Sequence, residues 1–244
     1  MIKDFDDLPF FPKYETDFLY NDKLRVTWFE PKFSQSFYNY QNAANGSNAC
    51  TLICIILAAN CNKERAQLPI SLNKDISPKL INIFARSMLD GNYIHETLKR
   101  KGKLKNINLT VPEAISYSNK IVRDLIEWKC MLYLEPLYAS LFKNLKTHWL
   151  EWIEGHLHDD LYVILITDSR SVLFYFNDET DNIILFDSHQ HSMEKGACAA
   201  VVKRQRLKTL CRWFAEILSN CYKCNPRLYE LSFLYFDRKS EKTM

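Results

Sequence analysis

Apolar and polar positions along the chain follow two different rhythms. The first half is organised around Ala49 to Ala59, an apolar run of 11 residues interrupted only by Thr51 and preceded by the polar stretch Gln41 to Asn48, which contains Gly46. A polar, glycine-containing turn leading into such a run predicts a loop that feeds a buried helix opening at Cys50. Ser77-Pro78 predicts a cap and first turn of a second helix. Its stripe of Leu80, Ile81, Ile83, Phe84 and Met88 runs to about Leu89, with Gly91 expected to interrupt it before a further short helix around Ile94 to Leu98. Thr110 and Glu113 have capping-box spacing, and Ala114, Ile115, Ile121, Val122, Leu125 and Ile126 predict one helix continuing from there. A further helix is predicted from Leu137 to Ile153.

The second half switches to short runs rich in β-branched and aromatic residues with polar turns between them. Leu161–Thr167, Val172–Asn177 and Ile183–Asp187 predict an antiparallel meander, joined by strands over Ala197–Val202 and Leu228–Phe236 around an amphipathic helix from Arg206 to Asn220. A helical half followed by an antiparallel half predicts an α+β fold, the helices packed on the sheet. Lys23–Phe29 could be a short strand, but residues 1–34, aromatic between acids and without a clear period, read as an arm across the surface or against a partner. The domain is expected over residues 35–238, with a polar tail at 239–244.

Candidate chemistry sits at the ends of two of these elements. Cys50 stands where loop becomes helix, close to the free N–H groups and positive end of the helix dipole, which favour the thiolate. Asp187 and His189 share a face at the end of a strand, since side chains at i and i+2 point the same way. Cys, His and Asp are the parts of an activated thiol nucleophile, and His189 follows Cys50 by 139 residues, within the about 130–150 of papain-type cysteine peptidases. An oxyanion hole would join the Cys50 N–H to a side-chain amide, from Gln41 or its rivals Asn45 and Asn48. Cys54 and Cys61 read as packing residues. His191 reads as a surface residue past the strand end, or an alternative base. His156 and His158 with Asp159 read as a turn. Cys221 and Cys224 resemble half a zinc site that only Cys198 or Cys211 could complete. No metal or cofactor is predicted, and no phosphate-binding glycine loop is present.

Composition narrows the function classes. A formal net charge of +3 with spread-out basic residues does not point to nucleic acid. The 5 glycines and 8 prolines argue against a linker-rich chain. The N-terminal residues lack the apolar core of a secretory signal, and the longest apolar run is too short to span a bilayer, so no membrane association is expected. Eight cysteines in that setting predict reduced thiols and a cytoplasmic or nuclear location.

Gln41, Cys50 and the strand-ending Asp187-x-His189 together resemble the deubiquitinating cysteine peptidase domain of herpesvirus large tegument proteins, over roughly residues 35–236. The residues before the nucleophile, Asn48-Ala49, depart from that family's pattern, as does the 1–34 segment. The resemblance implies a papain-like fold, a protein substrate or partner of ubiquitin or ubiquitin-like type, and acids such as Asp159, Asp160 or Glu179 meeting the arginine of its tail. Three functions remain open: thiol hydrolysis of a peptide or isopeptide bond, a catalytically inactive interaction module on the same fold, and transglutaminase-like or acetyltransferase-like acyl transfer.

Overall fold

Helix α1 (Cys50–Glu64) is covered along almost its whole length, because its apolar run leaves no polar face to present to water. The computed structural model describes residues 8–39, 47–71, 74–155 and 160–237. Within them α1 packs against α2 (Pro78–Arg100), α3 (Val111–Tyr117) and one face of an eight-stranded sheet. The strands are β1 (Tyr14–Leu19), β2 (Leu24–Phe29), β3 (Leu125–Tyr133), β4 (Leu161–Thr167), β5 (Arg170–Asn177), β6 (Asn182–Asp187), β7 (Cys198–Lys203) and β8 (Tyr229–Phe236). Their order is β1-β2-β7-β6-β5-β4-β8-β3, every neighbouring pair antiparallel.

The pleat divides the core in two. Ile164, Leu173, Tyr175, Ile184 and Phe186 face α1 and α2. Val163, Leu165, Phe174 and Leu185 face α4 (Leu137–Gly155) and α5 (Leu207–Tyr222) on the other side. The expected α+β class is therefore observed, with helices on both faces of the sheet rather than one. The meander, β7, α4, α5 and β8 lie close to their expected spans.

Three expectations are corrected. Residues 14–29, assigned to a surface arm, form a hairpin that ends the sheet, and every residue of its inner strand β2 is buried. Three residues of its four-residue turn, Tyr20, Asn21 and Asp22, lie in the left-handed region, at φ of 55°, 56° and 59°, where Asn and Asp are tolerated without glycine. The helix expected to continue to Ile126 ends at Tyr117. Leu125 and Ile126 open β3, which pairs with β8 in register from Leu125↔Phe236. Finally, α2 does not break at Gly91.

Gly91 instead marks where α2 crosses α1. A Cβ there would lie 2.6 Å from Ile53 Cγ1 and 3.1 Å from the Ile53 backbone nitrogen. The absent side chain is what lets the two helices touch. Gly91→Ala is expected to destabilise the fold by about 1–3 kcal/mol despite the better helix propensity of alanine. Urea unfolding checks this, and an unchanged or raised midpoint would refute the close-approach account.

Candidate active site

Three local structures converge on one end of the sheet. The first is the mouth of α1. Ala49 occupies the cap position and offers no side-chain acceptor, and no acid stands in the first turn, so the positive end of the helix is left for the Cys50 sulfur. The approach is fixed by polar contacts. Ser47 Oγ accepts from Ala49 N (3.1 Å) and donates to Asn92 Oδ1 (2.6 Å). The Asn92 amide holds the Gln35 carbonyl (2.8 Å), and Gln35 Nε2 donates to Ser47 O (3.0 Å).

The second is the β4–β5 hairpin. Thr167 pairs with Arg170 across a two-residue turn, Asp168-Ser169, with both φ values positive, the geometry of a tight hairpin that follows strand twist. The turn delivers Ser171 beside α1, where its hydroxyl meets Thr51 Oγ1 at 2.9 Å and the residue helps to lower the Cys50 thiol. Thr51 in turn donates to Leu109 O (3.0 Å).

The third is the chain leaving β6. Asp187 is 1% exposed. Its Oδ1 accepts from the His189 backbone N–H (2.9 Å) and from His189 Nδ1 (2.6 Å). That leaves His189 Nε2 unclaimed by Asp187, and the ring interacts electrostatically with the Cys50 thiol. Gln35 clamps this segment to the first: its N–H donates to Ser188 O (2.8 Å) and its Oε1 accepts from Ser188 Oγ (2.7 Å).

The electrostatics follow from these contacts. Burial alone would raise the Cys50 thiol, but its interactions with His189, the His189 charge and Ser171 bring it below its ordinary value. Burial would lower His189, but Asp187 and the Cys50 sulfur push it up to about 9. Burial would raise the Asp187 carboxyl, but His189 and His191 hold it far below the usual carboxylate range. All three shifts favour a thiolate–imidazolium pair backed by a carboxylate, the resting form of an activated cysteine. Cys54, one turn along α1, shows what burial does without a partner: its thiol is pushed well up.

Cys50, His189 and Asp187 are thus brought together. Gln41 and Asn45 lie outside the described residues, as do His156, His158 and Asp159. Asn48 is near the mouth of α1, with its amide donating to Asn108 Oδ1 at 3.0 Å. Asp160 and Glu179 are removed from the site: Asp160 precedes β4 and Glu179 follows β5, at the end of the strands opposite Ser171 and Asp187. Strands of this length put them about 20 Å away. Asp160 is occupied there by Tyr175 Oη (3.0 Å) and Asp178 N (2.9 Å). An acid that does stand near the cleft is Asp168, paired with Arg170. A cavity of about 410 Å³ lined by Lys63, Arg65, Lys120 and Arg123 lies at the far end of α1 and does not include Cys50.

His191 contradicts the expectation of a surface position, being 5% exposed and bound to Asp187. The sequence offers His191 only as an alternative base and Ser171 not at all, since both reach the site through turns and not through strand or helix periodicity. Cys221 and Cys224 are half-buried, and among the described residues no three His, Cys, Asp or Glu side chains gather as a metal site. No helix among them is long and apolar enough to cross a membrane.

The layout is of the papain-like kind: a thiol at the mouth of a buried helix, packed against an antiparallel sheet that carries the imidazole and carboxylate. No protein-family model matches the chain, and no curated protein sequence matches it. Among solved structures, the chain is similar to the ubiquitin-specific protease encoded by a murine cytomegalovirus tegument protein, solved in complex with a ubiquitin-based suicide substrate. The identity is 13%, with 88% of each chain covered and a TM-score of 0.48. It is also similar to the Pseudomonas avirulence protein AvrPphB, at 9% identity, covering 78% of this chain and 94% of the other with a TM-score of 0.44.

Proposed function

We propose that the protein is a cysteine hydrolase of peptide or isopeptide bonds in a protein substrate, with ubiquitin or a ubiquitin-like protein as the first candidate. The observation that supports this reading is the grouping of Cys50, His189 and Asp187 from residues far apart in sequence, with His189 hydrogen-bonded to Asp187 and interacting electrostatically with the Cys50 thiol. Cys50 Sγ attacks the scissile carbonyl. The His189 imidazolium protonates the departing amine, and the neutral ring then activates water against the thioester. Asp187 holds the ring with Nε2 toward the sulfur. The Cys50 N–H, at the uncapped mouth of α1, receives the oxyanion together with a side-chain amide from Gln41, or from its rivals Asn45 and Asn48; loss of one such donor typically costs about 10²–10³ in rate.

A second reading, a non-catalytic interaction module, is favoured by one observation: Cys50 is only 4% exposed. An electrophilic ubiquitin probe separates the two. Hydrolysis predicts a covalent adduct on Cys50 that is absent in Cys50→Ala and reduced at least about 10²-fold in His189→Ala. A folded protein that no ubiquitin or ubiquitin-like probe labels, and whose Cys50 also ignores iodoacetamide, supports the module.

A further inference from the structure

We propose that His191 is a positioning residue for this site, a permanent imidazolium that holds the second oxygen of Asp187 and so sets how strongly the carboxylate acts on His189. The inference rests on the thiol-hydrolase reading of Cys50 and His189.

The proton count follows from the two ring nitrogens. Nδ1 lies 2.8 Å from the Gly196 carbonyl oxygen, and Nε2 lies 3.1 Å from Asp187 Oδ2. A carbonyl oxygen only accepts, so Nδ1 carries hydrogen. Nε2 faces a carboxylate whose other oxygen already receives two N–H groups of His189. Those donors stabilise the ionised carboxylate, so the proton on the second contact belongs to the ring. Both nitrogens are then protonated, and the ring is charged. Its surroundings fix it in place: the Trp28 ring meets it edge-on at 5.1 Å, and the Tyr222 ring lies 5.7 Å away. Cys198 Sγ, 3.9 Å from Nε2, is a further polar neighbour and is fully buried.

The charges form a line. From the α1 mouth inward they alternate as Cys50 thiolate, His189 imidazolium, Asp187 carboxylate and His191 imidazolium. The inner cation offsets part of the field that Asp187 exerts on His189, and it adds to the positive potential at Cys50. Without it, Asp187 acts on His189 undiminished, and both sulfur and imidazole become more basic. The other ionisable groups packed around His191 are Cys198 on β7, Tyr222 and Cys221 on α5, and, one shell out, Arg170 stacked on Tyr222 at 4.1 Å and Lys195 over Trp28 at 4.5 Å, with Asp17 bonded to the Trp28 indole. None of these supplies a second cation to the Asp187 oxygens.

Two measurements on the full chain test this. Long-range ¹H–¹⁵N spectra of the histidine rings should show both nitrogens of His191 protonated from about pH 5 to 8, where an ordinary histidine titrates near 6.5; a neutral tautomer at pH 7 overturns the proposal without reference to activity. The second is the pH profile of Cys50 alkylation by iodoacetamide, read by mass spectrometry of the Cys50 peptide. His191→Gln keeps a donor to Asp187 and removes the charge, so in a variant shown to be folded by circular dichroism both limbs of the profile should move up by about one pH unit. A merely structural role would lower the amplitude and leave the limbs in place, and superimposable limbs overturn the proposal. Should His191→Gln not fold, the ring spectra of the unmodified protein decide. His189→Ala separates this test from the reading beneath it: if that variant leaves the Cys50 profile unchanged, the thiol–imidazole pair itself is wrong, whatever His191 does.

Discussion

Asp187→Ala is expected to cost about 3–5 kcal/mol of folding stability near pH 6, the range for removing one partner of a buried, hydrogen-bonded charge cluster. The carboxylate is shared by the buried His191 ring and the half-buried His189 ring, and it also accepts the His189 backbone N–H. Its loss leaves three donors facing one another in the interior. The pH dependence follows from the direction of each shift. His189 is raised from its ordinary 6.5 to about 9 in the folded state. Its contribution is therefore complete below pH 6.5 and is lost as pH rises through about 9. His191 is raised in the same sense. Asp187 is depressed, so its contribution is present above its ordinary value of about 3.9 and is lost only as pH falls well below that. In the alanine variant, burial without the carboxylate drives both histidines the other way, so that they oppose folding where they are charged. The gap between the two proteins should therefore be widest from about pH 4 to 6.5 and narrow steadily toward pH 9. Urea unfolding at pH 5, 7 and 9 reads it. A gap that is flat across that range would mean that Asp187 serves as a packing residue and not as the anchor of two cations. Cys50 alkylation should fall in parallel, because a ring freed from Asp187 no longer presents Nε2 to the sulfur.

This cluster also shows which parts of the molecule are legible in its sequence. The Cys50 helix is legible because a continuous apolar run with a polar lead-in has few alternatives. Asp187 and His189 are legible because a strand ends there and the i, i+2 rule still holds. The same rule misplaces His191. Past Ser188 the chain turns back, with His191 N and Ser192 N both donating to Lys195 O, and the turn carries the ring into the interior, to the far oxygen of Asp187. β3 reads as helix because Ile121, Val122, Leu125 and Ile126 imitate helical spacing, while its true determinant is pairing with β8, about a hundred residues away in sequence. The β1–β2 hairpin is hidden because its turn uses Tyr20, Asn21 and Asp22 in place of glycine. Gly91 looks like a break because sequence alone shows its low helix propensity and not the neighbouring Ile53 that requires it. In each case local preference yields to a contact made by a distant segment.

Among the described glycines, Gly196→Ala should be the most damaging substitution, at about 3 kcal/mol or more, the upper end of what overpacking costs. At Gly91 the one atom nearer than 3.0 Å is a side-chain carbon, Ile53 Cγ1, and the Ile53 backbone stays at 3.1 Å or beyond. At Gly196 a Cβ would fall on the carbonyl oxygen of Glu30, 2.7 Å from that of Phe33 and 3.0 Å from the Glu30 carbonyl carbon. All three are backbone atoms, so no rotamer relieves the clash, and the two segments must separate. Gly196 N donates to Phe29 O and Ala197 N to Phe33 O, both at 2.8 Å, and these bonds hold the segment after β2 against the entry to β7. Separating them also loosens Phe33, whose ring lies 4.6 Å from Phe29 and 5.7 Å from Phe84, and draws the Gly196 carbonyl away from His191 Nδ1. Stability and the site are therefore coupled here through one residue without a side chain. Gly155→Ala is the control: that glycine ends α4, and a Cβ added to it would meet nothing within 4 Å, so the substitution should change stability by well under about 1 kcal/mol. Urea midpoints at constant slope compare the two. Equal, small effects would show that the backbone of residues 30–33 yields at little cost, and the rigid frame held to position His191 would then be absent.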